Sequence, residues 1–228
     1  MPVTQRMKQW LVAFVLMICV TLAFFDKISI AVLFSDPEFQ NVMAIRPGDK
    51  EKLGWLMTSF LLAYGFSSLF LSFVGDIFNP KKLLFWSVAS WGVLMFLMGT
   101  SKSYGEMFFY RVLLGIFEGP LLALAYTIVK QTYQERQQAR ASTLFLLGTP
   151  VGASLGFPIT AFILHHFGWE MTFHVLASMT LIVLAVVYFG LKDLQLKSGA
   201  EKRSSTKRLT FKEHVRNSKV LVTTPAFW

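Results

Sequence analysis

Arg111 and Glu118 stand seven residues apart in a stretch, Met107–Val129, that is otherwise apolar. Seven residues make about two helical turns, so both charges fall on one helix face with Gly115 between them. A charge inside a membrane span costs at least ~2.5–3.5 kcal/mol, and such residues line bundle interiors or wet pathways. At a 1.5 Å rise per residue, Arg111 lies roughly 8 Å inside the outer end of its span and Glu118 lies near the midplane. Midplane acids are mostly proton or ion sites. A guanidinium can grip a carboxylate through two parallel donors. The pair therefore has the chemistry for handling an anion and a proton together.

A second acid–base couple, Asp26-Lys27, sits late in the first apolar run. Helix neighbours do not face each other, so the two must reach different partners. Lys27 either contributes to the same pathway or snorkels to the outer headgroups with Asp26 as a local counter-charge. The second run carries Tyr64, Ser68 and Ser72 at four-residue spacing, a stripe suited to cavity lining or to helix–helix hydrogen bonding. The fifth contains Gly148, Gly152 and Gly156, a small-residue face for close helix contact.

Positioning these groups falls to six apolar runs: Gln9–Leu33, Leu53–Val74, Leu83–Thr100, Met107–Val129, Ala141–Leu164 and Trp169–Leu191. Each is near the ~20 residues that cross a hydrocarbon core as a helix. With 54% hydrophobic residues, 23 Phe and a mean hydropathy of +0.52, the chain reads as a polytopic all-α membrane protein. The net charge of +9 could suggest nucleic acid, but its distribution follows the membrane instead. Sixteen of the 22 Lys and Arg lie at the N-terminus, in the second and fourth connections or beyond the sixth run, and four lie on the other side. Positive charge accumulates on cytoplasmic loops, so the N-terminus and the 192–219 segment are expected on the cytoplasmic side of a cell (inner or plasma) membrane. The expected organisation is a six-helix bundle over 1–191, a basic cytoplasmic linker over 192–219 and the start of a seventh helix over 220–228.

Other chemistries find little support. Cys19 is the single cysteine, which excludes an intrachain disulfide and a cysteine-based metal site. His165, His166, His174 and His214 make no ligand set, so no metal and no cofactor are expected. Gly152-Ala153-Ser154-Leu155-Gly156 formally matches a nucleophile elbow, but that motif needs a strand-to-helix turn rather than a membrane helix. No enzymatic activity is expected.

Several of these residues together resemble the major facilitator superfamily, in particular its anion:cation symporter branch. Phe25-Asp26-Lys27 resembles that branch's span-one Asp-Arg signature, with Lys in place of Arg. Arg111-Val-Leu-Leu-Gly115-Ile-Phe-Glu118-Gly-Pro120 resembles its span-four Arg-x-x-x-Gly-x-x-Glu motif. Asp76 with Lys81 and Lys82 stands where the superfamily carries its loop motif between spans two and three. The resemblance implies one six-helix half of a twelve-span fold, built as two inverted three-helix repeats, with the substrate site between halves. It implies Lys27 and Arg111 at the substrate, Asp26 and Glu118 as proton-coupling carboxylates with Arg111 tuning Glu118, and Asp76, with Lys81 and Lys82, at a cytoplasmic gate; Tyr64 of the span-two stripe is taken as a further substrate-lining residue.

The function so implied is proton-coupled symport of an organic anion (a sugar acid, hexuronate or aromatic carboxylate) by alternating access. Its partners are the anion, protons, the bilayer and a missing C-terminal half, with no nucleic acid. The rivals are a drug:proton antiporter and a non-transporting receptor or assembly subunit in which Arg111 and Glu118 pair within the bundle.

Overall fold

The computed structural model describes residues 3–46, 48–71, 78–192 and 194. Helices α1 (Val3–Leu33), α2 (Pro37–Val42), α3 (Lys50–Leu71), α4 (Pro80–Gly99), α5 (Tyr104–Glu118), α6 (Leu121–Thr132), α7 (Glu135–Leu146), α8 (Gly148–Phe167) and α9 (Trp169–Gly190) follow in order, and the described residues contain no strand. By length and composition they make six membrane spans: Trp10–Leu33, Lys50–Phe70, Pro80–Gly99, Tyr104–Thr132, Glu135–Phe167 and Trp169–Gly190. Hydrocarbon offers no partner for backbone polar groups, so helices that bond internally are the form these runs can take.

Span one packs most extensively on span five, span two on span four, and span three on span six. Spans three and four, and spans one and six, form the next contacts. Exchanging spans one with four, two with five and three with six leaves that pairing unchanged. Two three-helix units related in this way are one half of a major facilitator fold.

The small residues set the closest approach. Gly148, Gly152 and Gly156 face span one: a Cβ on Gly148 would stand 2.5 Å from the Met17 carbonyl oxygen, and one on Gly156 would stand 3.0 Å from Ile28 Cβ. The glycine stripe is thus a packing face, and Ser154 lies exposed on a continuous helix, away from any elbow geometry.

Span five differs from its expected extent. Its helix starts at Glu135, so Arg136 and Arg140 lie on the first turns of α7 rather than in a loop. The segment alternates polar faces with the buried Ala141 and Phe145, and a helix end at the headgroups can keep its charged side chains in water. The short helix α2 between spans one and two is capped by Asp36, whose carboxylate accepts from the Phe39 amide (2.8 Å). Phe39 is buried edge-on against Trp169 (5.4 Å), which ties that connection to the start of span six. The expected linker over 192–219, apart from residues 192 and 194, the seventh helix over 220–228, Ser72 of the polar stripe and the gate residue Asp76 lie outside the described residues.

Candidate functional site

Two buried ion pairs join span one to span four. The Lys27 ammonium donates to Glu118 Oε2 at 2.5 Å, and Arg111 Nη1 donates to Asp26 Oδ2 at 2.8 Å. Asp26, Arg111 and Glu118 are fully buried and the Lys27 side chain is 13% exposed. The adjacent residues Asp26 and Lys27 do reach different partners, as helix geometry requires.

Lys27 does not snorkel. Its ammonium also donates to the carbonyl of Ala23 (3.2 Å), four residues back along the helix and toward the middle of the span. There it sits among three rings, with centroids at 5.0 Å (Phe24), 5.1 Å (Phe60) and 4.9 Å (Tyr64). Ring faces attract a cation by ~0.5–2 kcal/mol each, more when desolvated. Phe60 serves both bases, because the Arg111 guanidinium lies 4.3 Å from its centroid on span two. Arg111 Nη2 further approaches Met57 Sδ at 3.9 Å. The hydrogen-bonded carboxylate of Arg111 is Asp26, because two helical turns separate Arg111 from Glu118 along one helix while span one faces both. Arg111 and Glu118 thus each pair within the bundle, with span one rather than with each other.

The stripe that carries both charges also holds Gly115, where a Cβ would stand 2.5 Å from the Phe60 carbonyl oxygen and 3.0 Å from Ala63 Cβ. Spans two and four therefore touch backbone to backbone beside the charges. One residue past Glu118 the helix breaks at Gly119-Pro120. Proline has no amide hydrogen to give the carbonyl four residues earlier, Ile116. Ser67 Oγ on span two donates to that carbonyl instead (2.5 Å), and Ser68 Oγ donates to the Gly119 carbonyl (3.3 Å). Ser68 of the expected stripe and its neighbour Ser67, which lies off that spacing, thus support the span-four break, and Tyr64, one turn away, turns its ring to Lys27.

Three buried atoms in the cluster have no hydrogen-bond partner: Asp26 Oδ1, Arg111 Nε and Glu118 Oε1. Charged groups in a low-dielectric interior hold unused donors and acceptors at a penalty unless water or a ligand meets them. Phe24, Phe60 and Met57 carry no sequence mark of a site. What could have pointed to Phe60 is its place one turn before Tyr64 on the face opposite Gly115.

Of the expected gate residues, Lys81 donates through Nζ to the carbonyls of Leu191 (3.0 Å), Lys192 (3.0 Å) and Leu194 (3.4 Å), and so caps the end of span six. Lys82 is exposed beside it.

A six-span, repeat-built helical bundle with charges buried across its first and fourth spans defines a class of multi-pass membrane protein. The chain belongs to the Major Facilitator Superfamily, whose family model matches residues 10–228. It is 27% identical over 177 residues to Protein spinster homolog 1 of Xenopus tropicalis, covering 76% of this chain and 33% of that protein. It is 25% identical over 138 residues to the Hexuronate transporter of Bacillus subtilis (strain 168), covering 60% and 32%. To the Multidrug export protein EmrB of Escherichia coli (strain K12) it is 26% identical over 155 residues, covering 68% and 29%. A crystal structure of a bacterial homolog to the human lysosomal transporter Spinster, inward-facing and unoccupied, matches with a TM-score of 0.71 over 97% of this chain and 50% of that one. At 17% identity that match speaks for the fold alone. The chain spans about a third of the length of these curated relatives.

Proposed function

We propose that the chain supplies the coupling half of a proton-driven symporter for an organic anion, working by alternating access against a second six-span half. The observation that carries this reading is the buried quartet Asp26, Lys27, Arg111 and Glu118, paired across spans one and four. The four charges sum to zero. A proton on Glu118 leaves the cluster with one net positive charge and an ammonium without its carboxylate, which one substrate carboxylate neutralises. In this reading Lys27 and Arg111 meet the anion, Tyr64 lines its site, and Asp26 and Glu118 carry the protons. Lys81 and Lys82, with Asp76, form the cytoplasmic gate. The charge asymmetry of the loops supports a cell-membrane protein with its N-terminus and the 192–219 segment in the cytoplasm. The similarity to a hexuronate transporter supports a sugar acid or related carboxylate as the cargo.

A second reading, a drug:proton antiporter, is favoured by the likeness to EmrB. It fits less well with two basic groups in the cluster, because these repel a cationic drug. Uptake of labelled sugar acids and aromatic carboxylates into proteoliposomes holding both halves, with and without an imposed inward proton gradient, tests the proposal. Accumulation only with the gradient is the expected result. Gradient-driven extrusion of cationic dyes with no acid uptake would favour the antiporter.

A further inference from the structure

At the end of the bundle where span three begins and span six finishes, a cavity of about 400 Å³ opens between the two helices. Its lining includes Lys81, Lys82, Lys192, Phe85, Trp86 and Tyr188, and none of the described residues lining it is acidic. The two helix ends would ordinarily oppose each other electrostatically. A helix start carries about half a positive charge and a helix finish about half a negative one. Here Lys81 donates to three carbonyls at the finish of span six, which covers its negative end with a full positive charge. The field in the cavity is therefore positive from both sides, and Lys82 and Lys192 stand exposed at its mouth.

The walls are of another character. Phe85 lies between Trp86 (5.8 Å, edge-on) and Tyr188 (6.2 Å), and Trp86 and Tyr188 are 67% and 52% exposed. Trp and Tyr with an apolar body and a polar edge are the side chains that settle at headgroup level. Basic pockets between spans at a membrane surface suit anionic headgroups. We propose that this cavity is a binding site for an anionic phospholipid, its phosphate held by Lys82 and Lys192 and the upper part of its acyl chains lying along Trp86, Phe85 and Tyr188. A water-soluble phosphate would use the lysines but gain nothing from the aromatic wall. That difference favours the lipid. The site lies apart from the ion-pair quartet and serves to fasten spans three and six to the leaflet on that side.

The test uses the purified full chain in phosphatidylcholine nanodiscs titrated with brominated phosphatidylglycerol, whose bromines quench nearby tryptophan. Quenching that is absent from the Trp86→Phe variant reports this site. The expected result is quenching by brominated phosphatidylglycerol well above that by brominated phosphatidylcholine. Each lysine near an anionic lipid contributes about a fivefold gain, so Lys82→Gln/Lys192→Gln should weaken the apparent affinity by roughly 30-fold. Both lysines are exposed, and Lys81 is left in place to hold span six. Equal quenching by the two brominated lipids overturns the proposal, and that comparison needs no lysine variant. Unchanged affinity in the double variant also overturns it. Displacement by inorganic phosphate or glycerol phosphate as readily as by phosphatidylglycerol would assign the cavity to a free anion and overturn the lipid.

Discussion

The Lys27 ammonium turns inward along span one and meets Glu118 of span four at 2.5 Å, within reach of three aromatic rings. A base so placed answers to the charge state of that one acid. Removing the charge of Glu118 should therefore separate coupling from transport. Glu118→Gln in the protein with both halves is expected to abolish uptake driven by a pH gradient while substrate counterflow survives. Proteoliposome assays of both activities decide it, and equal loss of the two would remove Glu118 from the coupling role.

Lys27 itself should matter at the binding step. Lys27→Ala is expected to lose anion binding, since the remaining guanidinium is held by Asp26. Titration calorimetry with the transported acid checks this, and an unchanged affinity would count against contact between Lys27 and the carboxylate.

The Arg111–Asp26 pair is fully buried, which makes its two halves unequal in isolation. Breaking a buried pair from one side costs about 3–5 kcal/mol, whereas replacing both partners with apolar residues is often neutral. Arg111→Leu should lower the unfolding midpoint strongly, and Arg111→Leu with Asp26→Leu should recover most of it. A thermal unfolding series in detergent reads the difference. If the double variant recovers both stability and uptake, the pair is only structural.

Ser67 and Pro120 form a compensating couple. Ser67→Ala strands the Ile116 carbonyl and should cost about 1–3 kcal/mol, the penalty of an unpaired buried acceptor. In a Pro120→Ala background the restored amide can serve that carbonyl, so the same serine change should cost almost nothing. A double-mutant cycle on unfolding free energy measures the coupling. Equal costs in the two backgrounds would contradict it.

Much of this was open to a reader of the sequence, and the remainder was closed for definable reasons. Six ~20-residue apolar runs mark six spans because a bilayer fixes their length. The seven-residue interval from Arg111 to Glu118 marks a shared face because the helical period is fixed. Which acid meets which base depends on the azimuth of span one against span four, and no local pattern carries that. Two readings of Lys27 stood open because a lysine stem can run either way along a helix. The Ala23 carbonyl and the cage of rings decide it. Phe60 was hidden in a run of ordinary apolar residues, since its role comes from tertiary placement between two cations. The start of span five at Glu135 was obscured by its polar composition.

The break at Gly119-Pro120 also divides span four by allegiance. Above it, α5 is clamped to span two, with Gly115 leaving no space for so much as a methyl group. Beyond it, α6 packs on spans one, three and five. Glu118 ends α5, and Gly119 is clamped beside it: a Cβ there would stand 2.6 Å from the Tyr64 carbonyl oxygen. Any relative tilt of the two pieces thus bends the chain at Gly119-Pro120, next to that carboxylate. The joint and the Lys27–Glu118 ion pair therefore sit side by side on the chain, so the angle between the two pieces and the spacing of that pair are set at one place.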